Sequence, residues 1–368
     1  VARKIRVGIL FGGRSAEHEV SLQSARSIVD AIDKSKYDVV LIGIDKAGRW
    51  YLNEASNFLL HADNPKLIAL NRSSKRVALA PATASDGNLI SVSGSGAAGG
   101  IDVVFPVLHG PYGEDGSVQG LLKVANIPFV GSGVLGAAVS MDKDVMKRLL
   151  REAGIPTPKC RALTRSTAGR VSHEEIVREL GWPVFVKPAN LGSSVGVSKV
   201  RDAASFEHAL RDAFQYDSKV LVEQCIPGRE IECSVLGNEE PIASIAGEVK
   251  PTHEFYSYDA KYIDENGAQL IIPAELPAAV MKRVQELAVK AFKALCCEGM
   301  ARADFFVTVD NQVYVNELNS IPGFTKISMY PKLWEASGVR YADLIDRLIQ
   351  LALERFERES RLKTSVDL

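Results

Sequence analysis

Apolar positions along this chain change period several times, and each change marks a new element. Residues 5–11 are almost continuously apolar, which predicts a buried strand. A polar, glycine-rich stretch follows at 12–17, and Val20, Ala25, Ile28, Val29 and Ile32 then recur at helical spacing. The runs at 39–44 and 101–108 predict further buried strands. Alternation of this kind over residues 1–141 predicts a doubly wound α/β domain, whose ligands sit at the carboxyl ends of the strands. Both loops there carry a candidate, Glu17 after the first strand and His109 after the later one. Residues 71–100 are rich in Ser, Gly and Ala and predict an excursion with weak structure.

A helix over about 142–153 leads into Gly154-Ile155-Pro156-Thr157-Pro158, the turn into a second domain assigned to 142–229. There a strand ends at Lys187-Pro188, and a Gly/Ser loop and a short strand at 197–200 follow. A helix carrying Phe206, Leu210 and Phe214 and a strand at 220–224 complete the unit. The third domain, 230–368, opens with strands at 230–236 and 241–247 and contains a long polar loop at 252–267. Helices at 277–295 and about 341–356 flank a hairpin. No internal repeat is visible.

That hairpin carries the sharpest chemistry. Two β-branched and aromatic runs flank Asp310-Asn311, which predicts a two-residue turn. Asp304 then falls opposite Glu317, and Arg302 and Asn319 share their face. Like charges directly opposite destabilise a ladder, and a cation between them removes the conflict. Two carboxylates and an amide oxygen make a hard, all-oxygen site suited to magnesium held together with substrate phosphates. A solvated acidic face is the alternative that the hairpin alone leaves open.

Composition narrows the class. At 368 residues, 46% apolar and 24% charged, the chain suggests two or three globular domains. A net charge of -1 gives no reason to expect nucleic acid or an anionic membrane as partner. No apolar run approaches the roughly 18 residues that span a bilayer. The basic-then-apolar start reads as a first strand rather than a signal peptide. Five cysteines without Cys-x-x-Cys spacing argue against a zinc site or a disulfide framework, and a reducing cytoplasm is the expected compartment.

Other constellations are weaker alone. After Lys187, the loop Asn190-Leu191-Gly192-Ser193-Ser194-Val195-Gly196 could bring backbone N–H groups and two hydroxyls to an anion. It is neither a P-loop nor Gly-x-Gly-x-x-Gly, and a flexible hairpin with a snorkelling lysine fits equally well. Glu223-Gln224-Cys225-Ile226 could meet an adenine edge, with Glu230 on a ribose hydroxyl, or be a plain strand end. The loop through Tyr256, Tyr258, Lys261 and Tyr262 is unusually aromatic, as in a lid, or is a surface loop pinned by buried tyrosines. His109, among glycines, reads as functional or as a helix-cap histidine.

Taken in order, seven segments resemble the motifs of ATP-grasp enzymes, and more narrowly of D-alanine–D-alanine ligases. They are residues 12–21 with Glu17, His109-Gly110 with Gly113-Glu114-Asp115-Gly116, Met141-Asp142-Lys143, and 186–197 with Lys187 and Ser193-Ser194. Tyr258-Asp259-Ala260-Lys261-Tyr262, Arg302-Ala303-Asp304 and 317–323 complete the set. The resemblance covers almost the whole chain, residues 71–100 excepted. It implies an N-terminal doubly wound α/β domain followed by a two-domain ATP-grasp fold, with ATP between the last two domains.

The resemblance also implies roles. Lys143 and Lys187 neutralise phosphates, and Ser194 and Asn316 join them in the nucleotide site. Glu223, Gln224 and Ile226 read adenine, and Glu230 holds ribose. Asp304, Glu317 and Asn319 hold two Mg2+ or Mn2+ ions, with K+ a further candidate cofactor. The first D-alanine's carboxylate attacks the γ-phosphate, and the second D-alanine's amine attacks the resulting acyl phosphate. Arg302 and the Gly323 N–H stabilise the oxyanion. Glu17 pairs with the first ammonium and bonds to Ser193 and Tyr262. His109 lines the substrate site, and Ser328, Lys261 and the Met329 backbone hold the second carboxylate. Residues 252–267 close as a lid. A cytoplasmic homodimer serving peptidoglycan precursor synthesis is implied too.

Two points depart from the pattern. No general base for the second ammonium is visible, and Gln224 stands where relatives commonly carry lysine. Relatives making D-alanyl-D-lactate tend to lack the tyrosine found here at Tyr262, so peptide formation is implied rather than ester formation. A different ATP-grasp carboxylate–amine ligase and a non-catalytic ATP sensor are the alternatives. The intact Arg302, Asp304, Glu317 and Asn319 set argues against the sensor, and Gly12-Gly13 without a third glycine argues against a dinucleotide oxidoreductase.

Overall fold

The computed structural model describes residues 3–81, 88–92, 97–251 and 268–363. Strand Ile5–Gly12 is the centre of the first sheet, parallel to Tyr37–Ile44 on one side and to Val103–Val107 on the other. Trp50–Asn53 adds an antiparallel edge. Side chains alternate faces, and both faces are covered, which is why the run reads as continuously apolar. On one face Val7, Ile9 and Phe11 pack with Ala25, Ile28 and Val29 of helix His18–Ala31. On the other Leu10, Ile42 and Val104 meet Val118 and Leu122 of helix Ser117–Val124. The domain is doubly wound, as the alternation predicts.

The last helix, Tyr341–Ser360, returns to this first sheet, burying Leu344, Ile345, Leu348 and Ile349 against it. Its Arg355 is buried over the Phe129 ring at 4.4 Å and donates to the Phe129 carbonyl at 2.8 Å and to that of Gly131. The chain's two ends therefore share one core, which the division at 230–368 does not anticipate.

The described residues between 71 and 100 carry more structure than their composition predicts. Val77–Leu79, Leu89–Ser91 and Ala97–Gly99 form a small antiparallel sheet. Val77 and Leu89 bury beside Ile101, and Asn88 locks onto Ile101 through two 2.8 Å hydrogen bonds. Helices Ser117–Val124, Val134–Met141 and Met329–Ala336 are also additions, each eight residues long and so shorter than the roughly 11–18-residue window over which helical period is read.

The second sheet orders Cys160–Thr164, Lys219–Gln224, Val184–Pro188 and Ser198–Val200, all antiparallel. Helix Ala203–Tyr216 covers it with Phe206, Leu210 and Phe214. The third sheet runs Ala268–Ile271, Ile242–Pro251, Arg229–Gly237, Gly299–Val307 and Val313–Asn319, backed by helix Ala278–Ala294. Among the described residues no helix is long and apolar enough to cross a membrane.

The hairpin reaches the expected pairing by another route. Asp304 does lie opposite Glu317, and Arg302 opposite Asn319. The turn, however, does not hold only Asp310 and Asn311. Val307 pairs with Val313, Thr308 N–H donates to Gln312 O at 3.0 Å, and Asn311 adopts φ 63. A left-handed residue closing a loop of this length is common, and it moves the register by one position. The ladder then shifts between Asp304 and Phe305, so that Asn316 is one extra residue in its strand. The two displacements cancel.

Replacing Arg355 by Met leaves two buried carbonyls without their donor. The expected loss is about 1–3 kcal/mol in urea unfolding, and a change below about 0.5 kcal/mol would show that water replaces the guanidinium.

Candidate active site

Strand Gly299–Val307 alternates cleanly, with Ala301, Ala303 and Phe305 in the core and Arg302, Asp304 and Phe306 facing the opposite way. In the next strand Val313 and Val315 point to the core. Continued alternation would send Glu317 there as well. The extra residue at Asn316 resets the phase, so Leu318 is buried and Asn316, Glu317 and Asn319 turn to the cleft. Glu232 of strand Arg229–Gly237 lies beside Asp304 on the other side. Three carboxylates thus form a row across three strands.

Cations answer that row. Arg302 is bidentate on Asp304 (Nε–Oδ1 2.7 Å, Nη2–Oδ2 2.8 Å), and its Nε lies 2.9 Å from Glu232 Oε2. Asn319 donates to Asp304 Oδ2 at 3.0 Å, and Lys143 Nζ lies 3.2 Å from Glu317 Oε2. Among the described residues no group of three or more His, Cys, Asp or Glu is poised to hold a metal by itself. The donor set nevertheless fits a hard divalent cation: oxygen atoms on Asp304, Glu317 and Asn319, in a row of three carboxylates to which Arg302 and Lys143 supply two countercharges. Such an ion would take its remaining ligands from a phosphate.

The second sheet supplies the facing wall. Phe185 and Lys187 leave one strand on the same side, and Glu223 is paired opposite Phe185. A cavity of 170 Å³ lies between the sheets, lined by Phe185, Lys187, Ser194, Glu223, Glu230 and Phe306 together with Lys143, Asp304, Asn316 and Glu317. Lys187 Nζ donates to Glu223 Oε1 at 2.8 Å. Burial works against the Lys187 ammonium, yet Glu223 and Glu317 hold its pKa above the ordinary lysine value. Burial likewise opposes ionised Glu223, but Lys147 and Lys187 keep its pKa below the usual carboxylate value. Gln224 and Ile226 do not line this cavity, and the Gln224 N–H is spent on Lys159 O at 2.9 Å.

A cavity of 630 Å³ adjoins it and shares Gly192, Ser193, Glu232 and Glu317 as walls. Glu17 enters from the first sheet and accepts a hydrogen bond from Ser193. Arg302, Gly323, Ser328 and Met329 line the same space, as does His109. The Gly323 N–H donates to no other described residue. Ser328 Oγ accepts from Thr325 N at 3.1 Å. The lid reading at 252–267, with Lys261 and Tyr262, lies outside the described residues.

His109 is engaged at both nitrogens. Nδ1 donates to Ile321 O at 3.1 Å, and Nε2 accepts from Ser24 Oγ at 3.1 Å, which in turn accepts from Phe324 N at 3.3 Å. Burial keeps its pKa low, so the ring is neutral. It ties the 321–324 segment to the first domain. Glu114 does the same, accepting from Gly110 N at 2.7 Å and Ile321 N at 3.1 Å. Sequence reasoning assigned Glu114, Lys147, Glu232, Phe185 and Phe306 no role. The two phenylalanines were signalled by alternation from Lys187 and Asp304, whereas the others had no distinguishing pattern.

The chain matches two family models, "D-ala D-ala ligase N-terminus" over residues 6–132 and "D-ala D-ala ligase C-terminus" over residues 149–350. It is 59% identical to a D-alanine–D-alanine ligase of Shouchella clausii over 363 residues, covering 99% of this chain and 98% of that one. It is 56% identical to D-alanine–D-alanine ligase A of Salmonella typhimurium, covering 99% and 100%. Among solved structures, the D-alanine-D-alanine ligase from Coxiella burnetii gives a TM-score of 0.83 at 39% identity, covering 98% and 97%. VanG D-Ala:D-Ser ligase from Enterococcus faecalis gives 0.83 at 36% identity, covering 95% and 100%.

Burial first and Glu17 second push the Glu114 carboxyl up to about 8 from an ordinary 4.5. The folded state therefore binds an extra proton between those values, and the stability it contributes is lost as pH rises through about 8. Glu114→Gln should flatten the decline in urea midpoint between about pH 5 and about pH 8. Parallel pH profiles for the two proteins would refute the assignment.

Proposed function

The chain belongs to the D-alanine–D-alanine ligase family, and on that premise we propose how its residues divide the work. The protein is an ATP-dependent ligase of ATP-grasp fold that joins D-alanine to D-alanine for peptidoglycan precursor synthesis, using a divalent metal. The observation that carries the residue assignment is the cleft itself. A recess that brings Lys143 and Lys187 together with Asp304 and Glu317 adjoins a second polar cavity and shares Gly192, Ser193, Glu232 and Glu317 with it.

Lys143, Lys187 and Ser194 hold the phosphates of ATP, with Asn316 beside them, and Glu230 takes the ribose. Glu223 accepts from the adenine 6-amino group between Phe185 and Phe306, while Gln224 and Ile226, outside the cavity lining, are given no contact with the base. Asp304, Glu317 and Asn319 would hold magnesium, or manganese, as two ions that neutralise charge on the transferring phosphate. Potassium is a further candidate activator.

The first D-alanine places its ammonium against Glu17, which Ser193 orients from the second sheet. Its carboxylate oxygen attacks the γ-phosphorus, the bond to ADP breaks, and an acyl phosphate forms. The second D-alanine, its carboxylate near Ser328, Met329 and Lys261, attacks that carbonyl through its amine. Arg302 and the Gly323 N–H stabilise the oxyanion until phosphate leaves. His109 acts through Ile321 and Ser24 to hold the Gly323 segment in place. Tyr262 completes the Glu17–Ser193 contact, and residues 252–267 exclude water from the acyl phosphate.

A cytoplasmic homodimer through the N-terminal domain completes the reading. Exposed Leu121, Val124 and Leu135 on neighbouring helices support the contact. Because a D-Ala:D-Ser ligase shares the fold, the second substrate is tested directly. Mass spectrometry of products from D-alanine paired with D-alanine, D-serine or D-lactate should give D-alanyl-D-alanine as the main product. Dominant D-alanyl-D-lactate or D-alanyl-D-serine would overturn the substrate assignment.

Glu317→Gln should keep the melting temperature and lower turnover by about 10²-fold or more, the scale of removing a charge-stabilising group. Magnesium-dependent ATP binding should fall with it. Near-normal turnover at unchanged melting temperature would remove the metal site from the hairpin.

A further inference from the structure

Lys147 is fully buried and lines neither cavity. It sits one helical turn after Lys143 on helix Lys143–Glu152, whose amino end is capped by Asp142 and tied to the second sheet by Lys219. From there Lys147 Nζ reaches both facing sheets. It lies 2.7 Å from Glu223 Oε2 and donates to the Asn316 carbonyl at 2.9 Å. Lys187 takes the other Glu223 oxygen at 2.8 Å. Burying an ammonium is costly, and a carboxylate already paired with Lys187 does not need a second cation for neutrality. A partnership of this kind fixes direction. A carboxylate has about four lone-pair sites, and two lysines behind Glu223 leave the remaining ones for the cleft.

We propose that Lys147 is a positioning residue of the nucleotide site, using the Asn316 carbonyl as its anchor and holding Glu223 so that it accepts from the adenine 6-amino group. The proposal rests on the reading of Glu223 as the adenine acceptor. Inosine triphosphate carries an oxygen where adenine carries that amine, so it reports the orientation of the carboxylate.

The test is calorimetric titration of the full chain with the magnesium complexes of ATP and ITP, without D-alanine, beside steady-state KM values for D-alanine. Wild type should prefer ATP. Lys147→Met leaves Glu223 paired with Lys187, so no uncompensated charge is stranded. It should reduce the ATP-over-ITP preference by about tenfold or more, the scale of one hydrogen bond to a charged group, and leave the KM for D-alanine unchanged. Lys147→Gln, which keeps a donor near the Asn316 carbonyl, carries the same readout if the Met variant does not fold. Full retention of the preference in a folded variant overturns the proposal, and so does failure of both variants to fold, which would make Lys147 structural. Absence of any preference in the wild type instead overturns the reading of Glu223 itself.

Discussion

One extra residue in strand Val313–Asn319 decides which way the acid of this site faces. Val315 is in the core, and without the bulge at Asn316 the carboxylate of Glu317 would point into the same apolar layer as Val313 and Leu318. A bulge leaves a backbone group out of the ladder, and that group needs a partner. Lys147 supplies one, from a position with no solvent exposure. The constraint is therefore shared between sheets: the register of the third sheet is pinned by a helix that also holds Glu223 of the second. Buried ion pairs contribute little net stability, and a role in fixing geometry is the better account of this one.

The same logic recurs wherever two units meet. His109 and Glu114 both leave the loop after strand Val103–Val107 and both end on the backbone of Ile321. Ser24 adds Phe324, and Ser193 adds Glu17. Each of these bonds joins two different units, so a displacement of one unit breaks several polar bonds at once. The returning helix Tyr341–Ser360 adds the apolar half of that coupling by filling one face of the first sheet.

Much of this was legible in the sequence because period and motif coincide. The apolar run at 5–11, the helix behind Val20 and Ile28, and the alternation through Arg302 and Asp304 each follow from one local rule. The acid pair was reached through a shorter turn than the real one, and the bulge restored the register that the turn had shifted. A bulge has no local signal when its cause lies on a distant helix. Lys147 is hidden for the same reason: among 44 basic residues, only its place in the fold sets it apart. The described part of 71–100 misled in the opposite direction, since Val77 and Leu89 borrow their burial from Ile101 and the sheet beneath.

Glycine shows how tightly the joint between the two cavities is built. A Cβ on Gly192 would stand 3.0 Å from Glu17 Oε2, and one on Gly110 would stand 2.8 Å from the same atom. Gly110 also has φ +77, which other residues adopt at a cost. Backbone therefore approaches the Glu17 carboxylate from two different units, where any side chain would push them apart. The acid is 8% exposed and still faces the cavity beside Ser193. On the function proposed above, an ammonium there would meet a carboxylate with little water around it, where Coulomb attraction is strongest. Two glycines thus set how closely the chain closes around this one carboxylate.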